Sequence, residues 1–414
     1  MHPISNFMLA AAACFAIAQS CAAESIAQPM YRATILSDPN TSMSANASGN
    51  SIDDVGIVAG SYTLTDNAIH ASVWAYGQLL DLKTLGKGKT LNSRVQWPLK
   101  NLRGLVSGIS QTDASDPNKE IWSCGYFLPN PNSNVCRGFV WDPVSQKMRS
   151  LPTLGGTNGF ATGTNDYGQT VGWAENTVRD STCITPQVLQ FKPVVWGPGR
   201  DEIRELPLIG ADGSGAATAL NDRGQIVGIS GDCQYAVGFG TGKHAVLWDN
   251  GVATEIANPY GAAAPWWNTP MMINESGDVV GFAGVPDDPD GNLTPAFRWS
   301  KKDGWHWIPF LKGDIASTAT SINNRGVIVG YSNDAQINFH PWVLVNGVPR
   351  NLNDLVEPGS GLTGPITLAF DVNDRGEITG TTLSGQAIVL RPAYDSGYLL
   401  TIEGRLQATA KSRQ

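Results

Sequence analysis

The sequence has little charge and no surplus of positive charge. Only 15% of its 414 residues are Asp, Glu, Lys or Arg, and 36 acidic against 28 basic residues give a formal net charge of −8. Nucleic-acid binding depends on a basic surface, so this balance argues against a nucleic-acid partner and equally against an anionic membrane surface. With 46 Gly and 13 Trp, the composition is typical of a β-rich extracellular protein rather than a disordered one.

Long apolar runs are also missing after the N-terminus, where no segment reaches the roughly 18 residues that a membrane span needs. Membrane insertion is therefore not expected. The apolar run from Phe7 to Ala18 and the small residues up to Ala23 predict a cleaved signal peptide over residues 1–23. Cys21 leaves a lipoprotein anchor open as the alternative. Both interpretations place the protein in the periplasm, at the cell surface or outside the cell.

Motifs of common catalytic sites are absent. The sequence contains no H-E-x-x-H, no G-x-S-x-G and no phosphate-binding loop. Paired carboxylates for glycoside hydrolysis stay possible, because repeats can bring distant Asp and Glu residues together, but nothing marks a particular pair. Whether the protein is an enzyme is left open.

What the sequence does contain is a repeated phrase of the type A-L-N-D-R-G-Q-I-V-G. Six clear copies are Ser51–Gly60, Gly163–Gly172, Ala219–Gly228, Met272–Gly281, Ser321–Gly330 and Asp371–Gly380. The turn glycines of neighbouring copies stand 49 to 56 residues apart, except for 112 residues between Gly56 and Gly168. This double interval predicts a degenerate seventh copy, which we place at Ile121–Tyr126, with its turn replaced by the polar insertion Gln111–Glu120.

A second phrase follows each copy and ends in Trp in most of them. Its copies are His70–Trp74, Arg137–Trp141, Lys192–Trp196, His244–Gly251, Pro295–Trp299 and His340–Gly347. Asn-Asp-x-Gly between short β-branched runs predicts a hairpin turn, because Asn, Asp and Gly tolerate positive φ. Four short strands in about 50 residues, repeated, are typical of a propeller blade rather than of a helical solenoid.

The two phrases together resemble the HAF-repeat family of extracellular bacterial repeat proteins, named for a His-Ala-Phe phrase ahead of a Trp. Here the phrase is His-Ala-Ser at His70 and His-Ala-Val at His244. The resemblance covers most of the chain after residue 23 and implies an exported protein. It implies no activity and no site.

The fold class predicted is all-β, a seven-bladed β-propeller of four-stranded blades over residues 31–392, followed by a C-terminal tail, 393–414. A lone strand, Tyr31–Leu36, precedes the first repeat, and the last repeat lacks a fourth strand after Ala387–Leu390. The N-terminal strand therefore completes the last blade, which removes open sheet edges. We expect a monomer.

We label the four strands of a blade a to d, from the axis outwards. Two kinds of connection between strands then lie at opposite ends of the propeller. The a–b and c–d turns lie at one end, and the b–c loops and the blade-to-blade connections at the other. Apart from Gln111–Glu120, the long segments fall in the second group. Because binding sites are usually carried on loops held by a rigid scaffold, the loop-rich end is the expected functional face.

Four cysteines remain after residue 23, and an even number in an oxidising compartment predicts two disulfides with three possible pairings. We expect Cys124 to pair with Cys136, inside one blade, and Cys183 with Cys233, between neighbouring blades. A zinc site is disfavoured because no C-x-x-C spacing occurs.

Two groups of residues on the loop-rich end are candidate ligand contacts. Trp266 and Trp267 match nothing in the other repeats, and exposed aromatic side chains stack on sugar rings or anchor proteins. Asp287, Asp288 and Asp290 form an acidic turn that could attract calcium, although no complete calcium loop follows, and a solvated turn is the favoured interpretation. No cofactor is otherwise expected.

Other repeated residues have structural interpretations. His70, His244 and His340 begin third strands, away from the axis, so we expect hydrogen bonds within their blades rather than a metal site. The repeated Trp residues are expected to pack between blades.

The sequence thus favours a secreted propeller that binds a glycan or a protein on the loop-rich face. The alternative is a hydrolase or lyase acting on a polysaccharide, with its site at the axial mouth of that face.

Overall fold

The computed structural model describes residues 30–36, 46–120, 124–236, 242–263, 267–286, 288 and 293–393. These residues form seven four-stranded antiparallel sheets arranged as the blades of a propeller. The expected signal peptide, residues 1–23, and all of the expected tail beyond residue 393 lie outside the described residues. Within the described part of the chain, no helix is long and apolar enough to cross a membrane.

The strands follow one another in chain order, from the axis outwards. Strand β1 is Tyr31–Ile35, and blade 1 comprises β2 (Ala47–Ile52), β3 (Val58–Thr63), β4 (Ile69–Ala75) and β5 (Gln78–Asp81). Blade 2 comprises β6 (Ser93–Arg94), β7 (Val106–Ser115), β8 (Asn134–Asp142) and β9 (Lys147–Ser150). Blade 3 comprises β10 (Gly155–Thr164), β11 (Thr170–Arg179), β12 (Leu189–Trp196) and β13 (Ile203–Glu205). Blade 4 comprises β14 (Ser214–Leu220), β15 (Ile226–Gly231), β16 (His244–Asp249) and β17 (Val252–Glu255).

The remaining blades follow the same order. Blade 5 comprises β18 (Thr269–Ile273), β19 (Val279–Phe282), β20 (Ala296–Ser300) and β21 (Gly304–Trp307). Blade 6 comprises β22 (Ala316–Ile322), β23 (Ile328–Asn333), β24 (Phe339–Val345) and β25 (Val348–Asn351). Blade 7 comprises β26 (Ile366–Val372), β27 (Ile378–Thr382) and β28 (Ala387–Pro392). The short helices are α1 (Cys233–Ala236) and the 3-10 turns Gly261–Ala263 and Leu352–Leu355.

The ring closes as the sequence predicts. Strand β1 is the outer strand of blade 7, antiparallel to β28, with Tyr31 opposite Pro392 and Ile35 opposite Ile388. The seven-bladed fold and its closure by the N-terminal strand are therefore confirmed.

The predicted position of the seventh repeat is wrong. The second strand of blade 2 is β7, and Cys124–Phe127 form a turn in the following b–c loop, whereas residues 121–123 lie outside the described part. The degenerate copy of the phrase is Asn101–Gly108, N-L-R-G-L-V-S-G, in which Leu102 replaces the usual acidic or amide residue. Most of Gln111–Glu120 consequently belongs to the end of β7 and to a loop at the loop-rich end.

The repeated glycines have two separate roles. The turn glycine of every blade has positive φ, for example +75° at Gly224 and +69° at Gly104, a conformation that costs a side-chain-bearing residue more. The last glycine of the phrase lies against the inner strand: a Cβ on Gly228 would stand 2.1 Å from the carbonyl oxygen of Ala216. Both positions therefore exclude larger residues.

The repeated Trp residues contribute to the core between blades. Trp74, Trp141, Trp196 and Trp248 are buried, and Trp299 is half-buried. The indole N–H of Trp248 donates to the Pro207 carbonyl at 2.6 Å, and that of Trp196 to the Pro152 carbonyl at 2.8 Å. In these two blades, the Trp thus links its blade to the connection from the preceding one.

Candidate functional site

The second residue of each a–b turn joins a ring of hydrogen bonds around the axis. In six steps, its backbone N–H donates to the side-chain oxygen of its counterpart in the next blade. The steps are Leu102 to Asp166 (2.5 Å), Asp166 to Asp222 (2.8 Å), Asp222 to Glu275 (2.8 Å), Glu275 to Asn324 (2.9 Å), Asn324 to Asp374 (2.8 Å) and Asp374 to Asp54 (2.7 Å). Leu102 offers no oxygen to Asp54, so the ring is broken there.

In five of the seven turns, the first residue is an Asn that contributes to a second ring of hydrogen bonds between blades. The Asn221 Oδ1 accepts the Gln225 N–H at 3.0 Å, and its Nδ2 donates to the Asn274 carbonyl of the next blade at 3.0 Å. Equivalent donations run from Asn165, Asn274, Asn323 and Asn373 to the next blade. The repeated Asn-Asp pair is therefore a joint between blades.

The two rings enclose a pocket of about 200 Å³ at the axial mouth of this end, which we call the turn end. Six carboxylates line it: Asp53 and the five carboxylates of the first ring, Asp54, Asp166, Asp222, Glu275 and Asp374. Burial raises the pKa of Asp222 and of Glu275, and a neighbouring carboxylate adds to each rise. Every one of the five accepts a backbone N–H of the ring. We interpret the cluster as scaffold.

Below this mouth, Lys100 and Asp371 form an ion pair of 2.5 Å between blades 2 and 7. Asp371 is fully buried and also accepts the Ile52 N–H at 2.9 Å and the Ser321 hydroxyl at 2.6 Å. A buried carboxylate is tolerated when it is paired and hydrogen-bonded in this way. The pair and its hydrogen-bond partners thus link four consecutive blades, 6, 7, 1 and 2.

The opposite end, the loop end, carries the b–c loops and the blade-to-blade connections. Two disulfides hold it: Cys124–Cys136 staples the b–c loop of blade 2 to β8, and Cys183–Cys233 joins the b–c loops of blades 3 and 4. These are the pairs expected from the sequence, and disulfides are typical of oxidising compartments.

The candidate ligand contacts fall in blade 5 and its entry loop. Trp267 is half-buried, has φ of +66° and packs on Phe282 at a centroid distance of 6.1 Å. Asp288 accepts the Leu293 N–H at 2.6 Å, a contact within its own loop. No hydrogen bond or ring contact joins these two residues, and Trp266, Asp287 and Asp290 lie outside the described part. No group of three or more His, Cys, Asp or Glu within the described ranges is arranged to hold a metal ion.

The three repeated histidines make hydrogen bonds inside their own blades. The His70 Nδ1 lies 2.8 Å from the Asp81 carboxylate, and the His244 Nδ1 lies 2.9 Å from the Glu255 carboxylate. The His340 Nδ1 lies 2.8 Å from the Asp314 carboxylate. Each bond is to a residue on or beside a strand of the same blade, which is the structural use that the sequence predicts.

A buried carboxylate pair, Glu120 and Glu175, joins the loop ends of blades 2 and 3. Glu175 accepts the Asn158 N–H at 2.8 Å, and Glu120 accepts the Leu189 N–H at 2.7 Å. The Gln187 amide bridges the two, at 3.1 Å from Glu175 and 3.3 Å from Glu120. Burial raises the pKa of Glu175 to about 7, and the charge of Glu120 adds to the rise.

A pocket of about 270 Å³ opens at the loop end between blades 7, 1 and 2. Its walls carry the hydroxyl groups of Ser48, Ser61, Thr381 and Thr382, and the Arg94 side chain lies in it. The sequence does not mark this site, because Arg94 precedes the degenerate repeat of blade 2, whose position is predicted wrongly. The signal that could have found it is the spacing of Arg94 before Asn101–Gly108, once that copy is recognised.

No protein-family model and no curated protein sequence matches the chain. Among solved structures, a catalytically inactive virginiamycin B lyase from Staphylococcus aureus aligns with a TM-score of 0.48 at 12% identity, over 87% of this chain and 99% of that one. An acylaminoacyl peptidase from Pyrococcus horikoshii aligns with a TM-score of 0.46 at 10% identity, over 87% of this chain and 54% of that one. This chain therefore spans about half the length of that peptidase.

The Aleuria aurantia lectin aligns with a TM-score of 0.36 at 8% identity, over 74% of this chain and 94% of that one. Likeness at these identities and scores carries no inference about ligand or activity.

Proposed function

We propose that the protein is a secreted propeller that binds a glycan or protein ligand on its loop end. The observation that carries this proposal is the contrast between the two ends. At the turn end, the polar side chains of the repeat are used in two rings of hydrogen bonds between blades. At the loop end, two disulfides fix long loops of three successive blades. Fixed loops on a rigid scaffold reduce the ordering cost of binding.

A glycan is the ligand class that we favour. The pocket at the loop end is lined by hydroxyl groups, which can both donate and accept hydrogen bonds to sugar hydroxyls. The half-buried Trp267 and the stacked pair Tyr260 and Trp307, with ring centroids 5.8 Å apart, supply aromatic surface elsewhere at this end. Aromatic faces suit the apolar faces of sugar rings.

A polysaccharide hydrolase or lyase is the second candidate, and the raised pKa of Glu175 favours it, since catalytic acids often have such values. However, Glu120 and Glu175 are buried and are held by backbone N–H groups, so neither faces open space. The carboxylates that surround the axis lie at the turn end, not at the loop end where this candidate needs them. Binding is the better-supported function.

The test compares glycan-array binding with product release from the same glycans. Binding without turnover is the expected result. Turnover of a bound polysaccharide would favour the enzyme, and absence of both would overturn the proposal of a glycan ligand.

A further inference from the structure

Arg94 is a cation without a counter-ion in the part of the chain that the structure describes. Its side chain is largely enclosed, and burial lowers the pKa of the guanidinium. The Nε atom is buried and has no hydrogen-bond partner, and no carboxylate of the described residues forms an ion pair with Arg94. Buried charges in proteins are normally paired, because an uncompensated charge in a region of low dielectric is costly. A guanidinium that faces a pocket and has no partner among the described residues suits an anionic ligand.

The repeat does not require an arginine at this position. Arg94 pairs with Ile109, the residue after the last glycine of the phrase, on the second strand of its blade. The residues at the equivalent pairing position in the other blades are uncharged: Ser48, Phe160, Ala216, Thr269, Thr318 and Leu368. The scaffold thus tolerates small, hydroxyl-bearing or apolar residues here, and the charge is particular to blade 2.

Among the described residues, the rest of the pocket lining carries no negative charge to compensate the guanidinium. It is lined by residues of blades 1 and 7, among them Ser48, Ser61, Tyr62 and Thr381, and contains no Asp or Glu. Several hydroxyls already make internal hydrogen bonds, such as Ser48 to Asn50 at 2.7 Å and Thr381 to the Ala47 carbonyl at 3.1 Å. Their orientation is therefore fixed, and each oxygen keeps a lone pair for a ligand.

The volume limits the size of the ligand. At about 270 Å³, the pocket is smaller than the roughly 300–1,000 Å³ typical of sites for drug-sized molecules. One sugar ring with a carboxylate group fits this space and this chemistry, since arginine binds planar carboxylates through two parallel N–H donors and hydroxyls bind hydroxyls.

We propose that the pocket between blades 7, 1 and 2 binds the uronate unit of an acidic glycan, with Arg94 holding the carboxylate and the serine and threonine hydroxyls holding the ring. This inference rests on the proposed glycan-binding function and specifies the charge of its ligand. It assigns to blade 2 the residue that discriminates acidic from neutral sugars.

The test measures binding by isothermal titration calorimetry with full-length mature protein. The probes are a galacturonate oligomer, the neutral galactose oligomer of the same length, and inorganic sulfate and phosphate. Three variants are compared: R94Q, which removes the charge, R94K, which keeps the charge but loses the planar fork, and R350Q. Arg350 is exposed on the outer strand of blade 6, so R350Q is a control with the same change in net charge.

We expect the wild type to prefer the acidic oligomer. R94Q should bind it at least about 30-fold more weakly, because one partner of an enclosed charge pair is removed. R94K should be intermediate, and R350Q should be unchanged. The melting temperature of R94Q should be no lower than that of the wild type, because an uncompensated buried charge has been removed. Ser61→Ala, which leaves the charge in place, should weaken binding about fivefold.

The outcomes separate this inference from the proposed function. Equal binding of acidic and neutral oligomers by wild type and R94Q would overturn the role of Arg94 but leave glycan binding standing. Sulfate or phosphate binding as tightly as the uronate oligomer would overturn the assignment to a sugar and indicate a simple anion site. No binding of any probe would overturn the uronate assignment, and the glycan array described above then tests the proposed function separately.

Discussion

The backbone N–H of Asp374 donates a 2.7 Å hydrogen bond to the carboxylate of Asp54, 320 residues earlier in the chain. This bond joins the last blade to the first at the turn end, just as the outer strand β1 joins them at the rim. The most repeated phrase of the sequence is therefore an element of blade-to-blade contact, and the energetic consequences can be measured.

The break in the ring at Leu102 predicts a stabilising substitution. Leu102→Asn places a side-chain oxygen at the position that the Asn324 oxygen occupies in blade 6. There, the Asn324 oxygen accepts the Glu275 N–H of blade 5. The new acceptor for the Asp54 N–H should raise the free energy of unfolding by about 1 kcal/mol, without adding a carboxylate to the acidic mouth. Chemical denaturation measures the change. Leu102→Ala, which adds no acceptor, is the control and should give no gain.

The inner ring predicts a larger loss. Asn221→Ala leaves the Gln225 N–H, which is half-buried, and the Asn274 carbonyl, which is buried, without their partners. The free energy of unfolding should fall by roughly 2–4 kcal/mol, since each unsatisfied group costs about 1–3 kcal/mol. Asn221→Asp should lose less, because Asp53 fills this position in blade 1 and accepts the Ile57 N–H at 2.8 Å. Equal losses in the two variants would contradict the acceptor role of the Asn221 Oδ1, which Asp retains and Ala does not.

The two disulfides should differ in their contribution to stability. Cys183–Cys233 closes 50 residues, and Cys124–Cys136 closes 12. Loop-closure entropy predicts losses of about 4 kcal/mol for the double serine variant at the longer loop and about 3 kcal/mol at the shorter one. Denaturant midpoints of the two double variants, measured with the wild type under non-reducing conditions, test the order. The reverse order would show that native contacts of the blade 2 loop outweigh chain entropy.

Glu175 predicts a decline in stability as the pH rises. Its pKa in the folded protein, about 7, lies above the ordinary value of 4.5, so the folded protein keeps a proton that the unfolded chain has released. This contribution is complete below about pH 4.5 and is lost as the pH rises through 7, with a total change on the order of 3 kcal/mol.

Glu175→Gln imitates the protonated group and should therefore be more stable than the wild type at pH 8 and equal to it near pH 4.5. Melting temperatures across this range provide the measurement. Glu202→Gln, at an exposed position, is the control and should follow the wild type at every pH. A parallel shift of Glu175→Gln at all pH values would contradict the raised pKa.

The sequence predicts the blade architecture because the turn chemistry repeats: Asn, Asp and Gly at fixed positions specify a hairpin wherever they recur. It predicts closure because an unpaired strand at the start matches a missing strand at the end. The repeat of blade 2 is not recognised, because Leu102 replaces the polar residue of the phrase. The intervals from its turn glycine to the turn glycines of the neighbouring blades are also unequal, so an assumption of even spacing places the repeat in the wrong segment.

The site is less accessible to prediction from sequence. Arg94 lies in a two-residue strand, and its lack of a counter-ion depends on side chains from blades 1 and 7 that are far away in the chain. The two ends of the propeller can be assigned from strand order alone. Which charges remain unpaired at each end follows only from the packing of neighbouring blades.

Hydrogen–deuterium exchange of the wild type with and without the galacturonate oligomer tests most directly the proposal that the ligand binds at the loop end. This proposal predicts slower exchange in Asn46–Ser48, Ser61–Thr63 and Thr381–Gly385 around the Arg94 pocket, with no change in the a–b turns. Slower exchange in the turns around Asp222 and Glu275, with none at the loop end, would contradict it and place the ligand in the acidic mouth.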